Sequence, residues 1–167
     1  MSTSMPSFER PRPPAQLRFV FKLPPLLYHG PLARFLASRC VIRLTTTGRR
    51  SGKPRTVCVS AMGIDSDYVV FSGFGIDSNW YRNLLVDPHA TIRIGPATMP
   101  VTAAVVPDPF ERQRLMLLMQ KQSSQCGPPA RLRPLLSALR AFDYDAEIAM
   151  AVENATILPV VKLSPTQ

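Results

Sequence analysis

Hydrophobic β-branched residues gather in short runs along the chain, and two of these runs flank a turn bounded by glycines. CVIRLTTT (residues 40–47) and RTVCVSAM (residues 55–62) are rich in valine, isoleucine and threonine, and the stretch from Gly48 to Gly52 lies between them. β-Branched side chains favour extended backbone, and a short connection containing glycine favours a tight reversal. The pattern therefore predicts a β-hairpin.

The rest of the pattern predicts further hairpins and several helices. Additional strands are expected at DYVVFSG, at ATIRIG and MPVTAAVV on either side of Gly95, and at ATILPVVKL. Helices are expected at PLARFLASR, NWYRNLLV, RPLLSALRAF and DPFERQRLMLLMQKQ, the last with Asp108 as its N-cap, and QSSQCGPPARLRP is expected to be a loop. About six strands joined by hairpins indicate an antiparallel α+β sheet or small barrel.

The first part of the chain differs in composition from the rest. Residues 1–16, MSTSMPSFERPRPPAQ, are polar and rich in proline, which predicts a disordered tail before a single domain of residues 17–167. The hydrophobic stretches between Leu17 and Leu44 are interrupted by charges and prolines. They fall short of the roughly 20 apolar residues that a membrane span needs, so an integral membrane protein is not expected.

Charge adds information about the partner. Twenty Lys and Arg oppose eleven Asp and Glu, giving a formal net charge of +9. This favours nucleic acid, a membrane surface, or a phosphorylated or carboxylated ligand. Four of the cations, Arg49, Arg50, Lys53 and Arg55, lie in the predicted hairpin turn. The turn lacks the spacing of a P-loop, so two interpretations stay open: a cradle for an anion, or a solvated turn.

A second candidate segment is SGFGIDSNWYRNL, where a glycine-rich loop enters a helix that carries the only tryptophan, Trp80. Helix N-termini favour anions, glycines admit a flat ligand, and an indole can form the wall of a pocket. The alternative, that Trp80 packs in the core, stays open. No catalytic triad, paired carboxylates or metal-ligand spacing is found, so an enzyme with this sequence would take its reactivity from a cofactor.

The cysteines bear on the compartment. Cys40, Cys58 and Cys126 are odd in number and widely spaced. They provide neither a disulfide framework nor a CxxC motif, so no disulfide is expected. A reducing cytoplasm is the expected compartment.

Two motifs in order, TTTGRRSGKPR and then NWYRNL followed by DPHATIRIG, resemble those of the deazaflavin-dependent nitroreductase family, also described as F-420H2-dependent quinone or nitro reductases. The resemblance runs from about Leu17 to Pro165. It implies a split β-barrel related to the flavin-reductase barrels. It also implies an oxidoreductase that transfers hydride from reduced coenzyme F-420, a deazaflavin with a phosphate and a polyglutamate tail, to a quinone, nitro compound or other apolar acceptor.

The resemblance further implies which residues bind the cofactor, by matching motif positions. The phosphate end would be held by Arg50, Ser51, Gly52, Lys53, Pro54 and Arg55, and the ring would be bordered by Ser72, Gly73, Phe74, Asn79, Trp80 and Asn83. Members that reduce nitro prodrugs carry several tyrosines toward the C-terminus, where this chain has only Tyr144. Tyr144 is therefore the candidate substrate contact, and the substrate is expected to differ from those prodrugs.

Other functions stay open from the sequence. FMN is the alternative cofactor, because the same architecture accommodates a phosphorylated flavin. The net charge also suits a non-catalytic module that binds an acidic polymer or a membrane surface. Nucleic acid is not the expected partner, because the basic run lacks interleaved aromatic residues. The small-molecule electron acceptor is not identified, and the sequence does not decide whether two copies pair as a homodimer.

The segment after the tail is the candidate for membrane contact. Apolar area would come from Val20, Phe21, Leu23, Leu26, Leu27 and Tyr28, and headgroup contacts from Arg18, Lys22 and Arg34. This interpretation places a cytoplasmic protein peripherally at the inner face of the membrane. The alternative is that the segment closes one end of the barrel, because Pro24 and Pro25 interrupt a continuous interfacial helix.

Overall fold

The computed structural model describes residues 23–127, 129–138 and 144–166. The predicted tail of residues 1–16, the apolar stretch of residues 17–22 and the end of the helix predicted at RPLLSALRAF lie outside the described residues. The strands are β1 (Val41–Thr47), β2 (Pro54–Ile64), β3 (Asp67–Phe71), β4 (His89–Ile94), β5 (Ala97–Val105) and β6 (Val160–Pro165). The helices are α1 (Leu23–Leu27), α2 (Gly30–Ser38), α3 (Asn79–Val86), α4 (Pro109–Gln122), α5 (Arg133–Ala138) and α6 (Tyr144–Glu153), with a 3₁₀ turn at Ser123–Gln125.

The six strands form a closed barrel in the order β1-β2-β3-β6-β5-β4, and every neighbouring pair is antiparallel. Along β1, the buried positions are Ile42, Leu44 and Thr46, which alternate with less buried residues. Strand side chains point to opposite faces in turn, so one face of β1 fills the barrel. The predicted α+β class, a mostly antiparallel barrel with peripheral helices, is confirmed.

Two cores stabilise this arrangement. The first fills the barrel with residues such as Leu44, Ile92 and Leu163, and α3 adds Tyr81 and Leu84 to it. The second lies between the strands and the pair α4 and α6, and its fully buried members include Leu115, Met116, Met119, Ala151 and Leu158. Val69 belongs to the second core and its neighbour Val70 to the first. Strand β3 is therefore buried on both faces, which explains its continuous apolar run.

The C-terminal region corrects the sequence prediction. The predicted strand ATILPVVKL begins only at Val160, because Asn154 to Ile157 form turns after a helix, α6, that was not predicted. The signal for α6 was present in the sequence: Ile148, Ala151 and, just after the helix, Ala155 are spaced three and four residues apart and are all buried in the second core. Contact with α4 decides in favour of the helix.

The expectation that no disulfide forms was wrong. Cys40 and Cys126 are joined across 86 residues of sequence, with a Cα–Cα distance of 5.0 Å. The neighbouring backbones also pair, because Gly127 N donates to the carbonyl oxygen of Arg39 (3.0 Å) and Arg39 Nε donates to that of Gly127 (2.6 Å). The start of β1 is thus fixed to the loop after α4, and Cys58 remains as a free, half-buried thiol.

The segment before β1, which was predicted to contact a membrane or to close the barrel, contains both buried and exposed apolar residues. Tyr28 is fully buried, and its hydroxyl donates to the carbonyl oxygen of Val41 (2.9 Å) and accepts from Gly95 N (3.1 Å). The assignment of Tyr28 to a membrane surface was therefore wrong, because this residue joins α2 to one end of the barrel. Leu26 and Leu27 are 70% and 53% exposed. No helix in the described ranges is long and apolar enough to span a bilayer.

Candidate functional site

The turn between β1 and β2 is held by its own backbone. Gly48 N donates to the carbonyl oxygen of Lys53 (2.8 Å), and the amides of Ser51 and Gly52 donate to that of Gly48 (3.1 and 2.8 Å). Gly52 has φ +63, a conformation that glycine adopts without strain. These bonds fold the segment into a compact loop whose residues 50–55 are all exposed.

The turn presents cations to solvent. Arg50, Lys53 and Arg55 form no ion pair with any carboxylate among the described residues. The guanidinium of Arg55 donates to Ser51 Oγ (3.4 Å), which also accepts from Lys53 N (3.4 Å). The positive charge of the turn is therefore uncompensated within the described chain, and we call residues Arg50 to Arg55 the basic turn.

Arg49 joins the basic turn to α3. Its guanidinium donates to Asn79 Oδ1 (3.3 Å) and to Asn83 Oδ1 (3.1 Å), and its backbone N–H also donates to Asn83 Oδ1 (3.2 Å). Asn83 is almost fully buried, and its Nδ2 donates to Thr46 Oγ1 (3.0 Å). The two motifs found in the sequence thus lie against each other, with Asn83 fixing their relative position.

The loop before α3 is equally constrained. The hydroxyl of Ser72, which is fully buried, lies within hydrogen-bond distance of the carbonyl oxygen of Gly75 (2.6 Å) and of Ser78 Oγ (2.5 Å). Ser78 is the residue before the helix, and its side chain makes no capping bond because it faces Ser72. Gly73 and Phe74 are half-buried in this loop. Ser72 and Asn83 therefore have structural partners. Of the other residues predicted to border the ring, Asn79 is exposed, while Phe74 and Trp80 are half-buried and Trp80 packs partly against the first core.

A groove of about 420 Å³ runs beside the basic turn. It is lined by Gly52 and Pro54 of the turn and by strand residues that were not predicted to bind the cofactor: Thr45, Thr46, Thr47, His89, Ala90, Thr91 and Pro100. The consecutive threonines before Gly48 were the available signal, because hydroxyls along a strand edge can bond a polar ligand. That these threonines lie next to β4 could be seen only once the barrel was known.

One carboxylate lies close to this groove. Asp87 accepts from the backbone N–H of His89 (3.1 Å) and faces its Nδ1 (3.0 Å). These bonds, led by the backbone one and joined by a bond from Thr47, hold the pKa of Asp87 below its usual value. Asp87 is thus an anion at neutral pH and orients His89 at the groove wall.

The predicted substrate contact lies at the start of α6. Tyr144 is the first residue of that helix, and its side chain is outside the described part of the structure. Glu147, one turn later, approaches the loop before α3: a Cβ placed on Gly73 would lie 3.6 Å from Glu147 Oε2. The helix that begins at Tyr144 therefore reaches the loop of the second motif.

Comparison with solved structures agrees with the barrel fold. One solved structure, an F-420H2-dependent reductase, superposes with a TM-score of 0.50 at 22% identity, covering 75% of this chain and 95% of that chain. A conserved hypothetical protein of Mycobacterium tuberculosis superposes with a TM-score of 0.52 at 15% identity, covering 81% of this chain and 79% of its own. Curated protein sequences gave no significant match.

The family model that matches describes the F-420H2-dependent quinone reductases. It matches residues 28–127, which is more than half of the chain and includes both motifs, the basic turn and the groove. The match ends next to Cys126, at the loop that the disulfide fixes to β1. The chain therefore belongs to the F-420H2-dependent quinone reductase family.

Proposed function

We propose that this protein is an F-420H2-dependent oxidoreductase that reduces a quinone or another apolar acceptor, with a nitro compound as the second candidate. The cofactor, coenzyme F-420, follows from family membership. The single observation that carries the proposal is the basic turn, whose cations are exposed, without carboxylate partners in the described chain, and beside a polar groove.

The residues present fit an anionic cofactor. A phosphate and a polyglutamate tail need several cations in one place, and Arg50, Lys53 and Arg55 provide them at the mouth of the groove. Guanidinium groups bind phosphate and carboxylate oxygens through paired N–H donors. The hydroxyls of Thr45, Thr47 and Thr91 offer further donors and acceptors along the groove.

The second motif would form the part of the cofactor site that surrounds the deazaflavin ring. Phe74, Asn79 and Trp80 would border the ring, while Ser72, Gly73 and Asn83 keep the loop and α3 in position. When bound, the reduced deazaflavin supplies the hydride that the acceptor receives. The chain positions the two reactants and excludes water from between them, and such positioning is a large part of the catalysis of bimolecular reactions.

The apolar surface of α1 and α2 supports an acceptor drawn from a membrane. Leu26 and Leu27 are exposed, and Leu32 and Phe35 of α2 are 40% and 47% exposed. Such residues contribute area for contact with a bilayer surface, where apolar quinones reside. We expect Leu26→Gln with Leu27→Gln to reduce cosedimentation with phosphatidylglycerol vesicles without reducing F-420 binding. Equal sedimentation of both proteins would show that the enzyme is not recruited through this surface.

The experiment that tests the cofactor site is a titration of the protein with F-420 and with FMN, followed by absorbance. Lys53→Ala with Arg55→Ala should weaken F-420 binding while leaving folding stability almost unchanged, because exposed turn charges contribute roughly 0 to 1 kcal/mol. Arg131→Ala, which removes an exposed cation from the loop after α4, is the control. Normal binding by the double variant would mean that the basic turn is only solvated. Binding of FMN as tight as that of F-420 would favour the flavin alternative.

A second assay identifies the acceptor class. The reduced cofactor and the wild-type protein are mixed with a soluble quinone and, separately, with a nitroaromatic compound, and cofactor oxidation is followed. We expect faster turnover with the quinone. Turnover with only the nitroaromatic compound would contradict the quinone assignment while leaving the cofactor assignment intact.

A further inference from the structure

A second group of cations lies at the end of β1 opposite to the basic turn. Arg43 on β1 is paired directly with Arg93 on β4, and the turn at Gly95 follows one residue after β4 ends. The first turn of α2 lies over this corner. The start of α2, the end of β4 and the turn at Gly95 line a cavity of about 320 Å³, formed by Gly30, Pro31, Arg34, Arg93, Gly95 and Pro96.

The arginines at this corner are not compensated by acidic residues. Like charges placed directly opposite each other on neighbouring strands destabilise a sheet. None of Arg34, Arg43 and Arg93 forms an ion pair with a carboxylate in the described ranges. In addition, Arg43 Nε is buried without a hydrogen-bond partner there. Three cations close together without a carboxylate partner make the local potential positive, so this arrangement favours a ligand that brings negative charge.

The corner is also rigid before any ligand arrives. Tyr28 bonds both the start of β1 and the amide of Gly95, so it holds the β4–β5 turn against the segment before α2. Arg93 Nε donates to the carbonyl oxygen of Gly95 (3.1 Å), which fixes its guanidinium at the cavity. A Cβ on Gly95 would lie 3.7 Å from Ala37 Cβ, so α2 packs closely on this turn. A fixed set of donors loses little freedom when it binds.

The position of α2 adds to the positive potential. The helix has nine residues, and its first turn, with Pro31, faces the cavity. The N-terminal end of a helix carries a partial positive charge that attracts anions. The cavity volume equals that of roughly ten waters in the liquid, which is more than a phosphate group alone needs. A phosphate carrying a further small group would therefore fit.

We propose that this cavity is a second anion-binding site, in which Arg34 and Arg93 bind a phosphate group above Arg43. It is distinct from the proposed cofactor site, because the two lie at opposite ends of β1. The phosphate has two possible sources that share this chemistry: a soluble phosphate ester, or the headgroup of an anionic lipid held next to the exposed leucines of α1.

The test is a titration of the uniformly ¹⁵N-labelled protein with inorganic phosphate, using the Lys53→Ala and Arg55→Ala background so that the basic turn does not compete. We expect saturable shifts of the Gly95 and Leu32 amides. Arg34→Gln and Arg93→Gln should each weaken binding about tenfold, as expected for loss of a charge-assisted bond. Arg131→Gln, an exposed cation elsewhere, should change nothing.

Several outcomes would overturn the proposal. Shifts that do not saturate, or that are equal in Arg34→Gln and Arg131→Gln, would mean that no site exists. The dispersion of the spectrum shows whether Arg93→Gln disturbs the fold. If it does, phosphate binding by the variants of the exposed Arg34 still tests the site. Arg34→Lys keeps the positive charge, so we expect it to retain partial phosphate binding. F-420 affinity should be the same in Arg34→Gln and in the wild type, so failure of this proposal and failure of the cofactor site are distinguishable.

The two sources are separated with vesicles. If the ligand is a lipid headgroup, Arg34→Gln should reduce sedimentation with phosphatidylglycerol vesicles more than Arg131→Gln does. Neither variant should sediment with phosphatidylcholine vesicles. If phosphate binds in solution but vesicle binding does not depend on Arg34, the ligand is a soluble phosphate ester. If phosphate does not bind in solution and vesicle binding does not depend on Arg34, the proposal is wrong.

Discussion

At the scale of single residues, Gly48 determines the shape of the basic turn. A Cβ at this position would lie 2.9 Å from Ser51 Oγ and 3.0 Å from the carbonyl oxygen of Lys53. The second of these atoms belongs to the backbone, so it cannot move without moving the turn. The positions of the cations in the basic turn therefore depend on the absence of a side chain at residue 48.

We expect Gly48→Ala to weaken F-420 binding, because the backbone of Lys53 must shift and Arg55 with it. The affinity is measured by absorbance titration. Gly63→Ala on β2 is the matched control: the nearest atom to its Cβ would be Tyr68 Cε1 at 4.0 Å, so both fold and binding should persist. Wild-type affinity in Gly48→Ala would show that the geometry of the turn is not needed for binding.

At the scale of elements, the disulfide between Cys40 and Cys126 fixes the start of β1 to the loop after α4. A crosslink over a long loop restricts the unfolded chain and typically stabilises a protein by roughly 2–4 kcal/mol. We expect dithiothreitol to lower the melting temperature of the wild type and to have no further effect on Cys126→Ser.

The thiol count provides an independent check of the same link. In denaturant without reductant, only Cys58 of the three cysteines should react with a thiol reagent, and all three should react after reduction. In the folded protein, Cys58 itself should react slowly at pH 8, because burial raises the pKa of its thiol to about 11. Three reactive thiols before reduction would contradict the disulfide.

An ion pair connects helix α4 to β6, and it predicts that the folding stability depends on pH. Glu111 accepts from Arg114 (2.7 Å) and from Lys162 Nζ (3.1 Å), and these partners, Arg114 first, lower the pKa of Glu111 from its usual 4.5 to about 2. Because the folded state favours the ionised form, this contribution is present above pH 4.5 and is lost as the pH falls towards 2.

The corresponding experiment compares urea unfolding of the wild type and of Glu111→Gln between pH 7 and pH 3. The wild type should be modestly more stable at pH 7, and the difference should shrink as the pH falls below 4.5. A difference that stays constant with pH would mean that Glu111 acts through packing and not through its charge.

At the scale of the whole molecule, the chain carries a net charge of +9. Two groups of its cations on the barrel form no ion pair among the described residues: the basic turn, and the corner of Arg34, Arg43 and Arg93. Charge attraction to an exposed site is screened by salt, with a Debye length of about 10 Å at 0.1 M. We expect F-420 affinity to fall between low and high salt. In Lys53→Ala with Arg55→Ala the same increase in salt should have a smaller effect, and equal slopes would argue against a polyanionic contact at the turn.

Much of the barrel could be predicted from the sequence, because hairpins depend on nearby residues. The β-branched runs, the glycines of the turns and the N-cap at Asp108, which accepts from Phe110 N (3.1 Å), are all local features. The basic turn and the segment around Trp80 were identified for the same reason. Helix α6 was missed although its apolar spacing is helical, because its decisive partner, α4, is more than twenty residues away.

Most of the strands, the antiparallel connections, the family and the charged turn could be predicted without the structure, since they depend on local periodicity and on motifs of a few residues. Which distant groups meet could be known only from the folded barrel. The folded barrel pairs Cys40 with Cys126, places Arg43 opposite Arg93, and joins Asn83 to Arg49 and Thr46 by hydrogen bonds. Such contacts depend on strand register and barrel closure, which are set by the packing of the whole chain and are not encoded in any short segment.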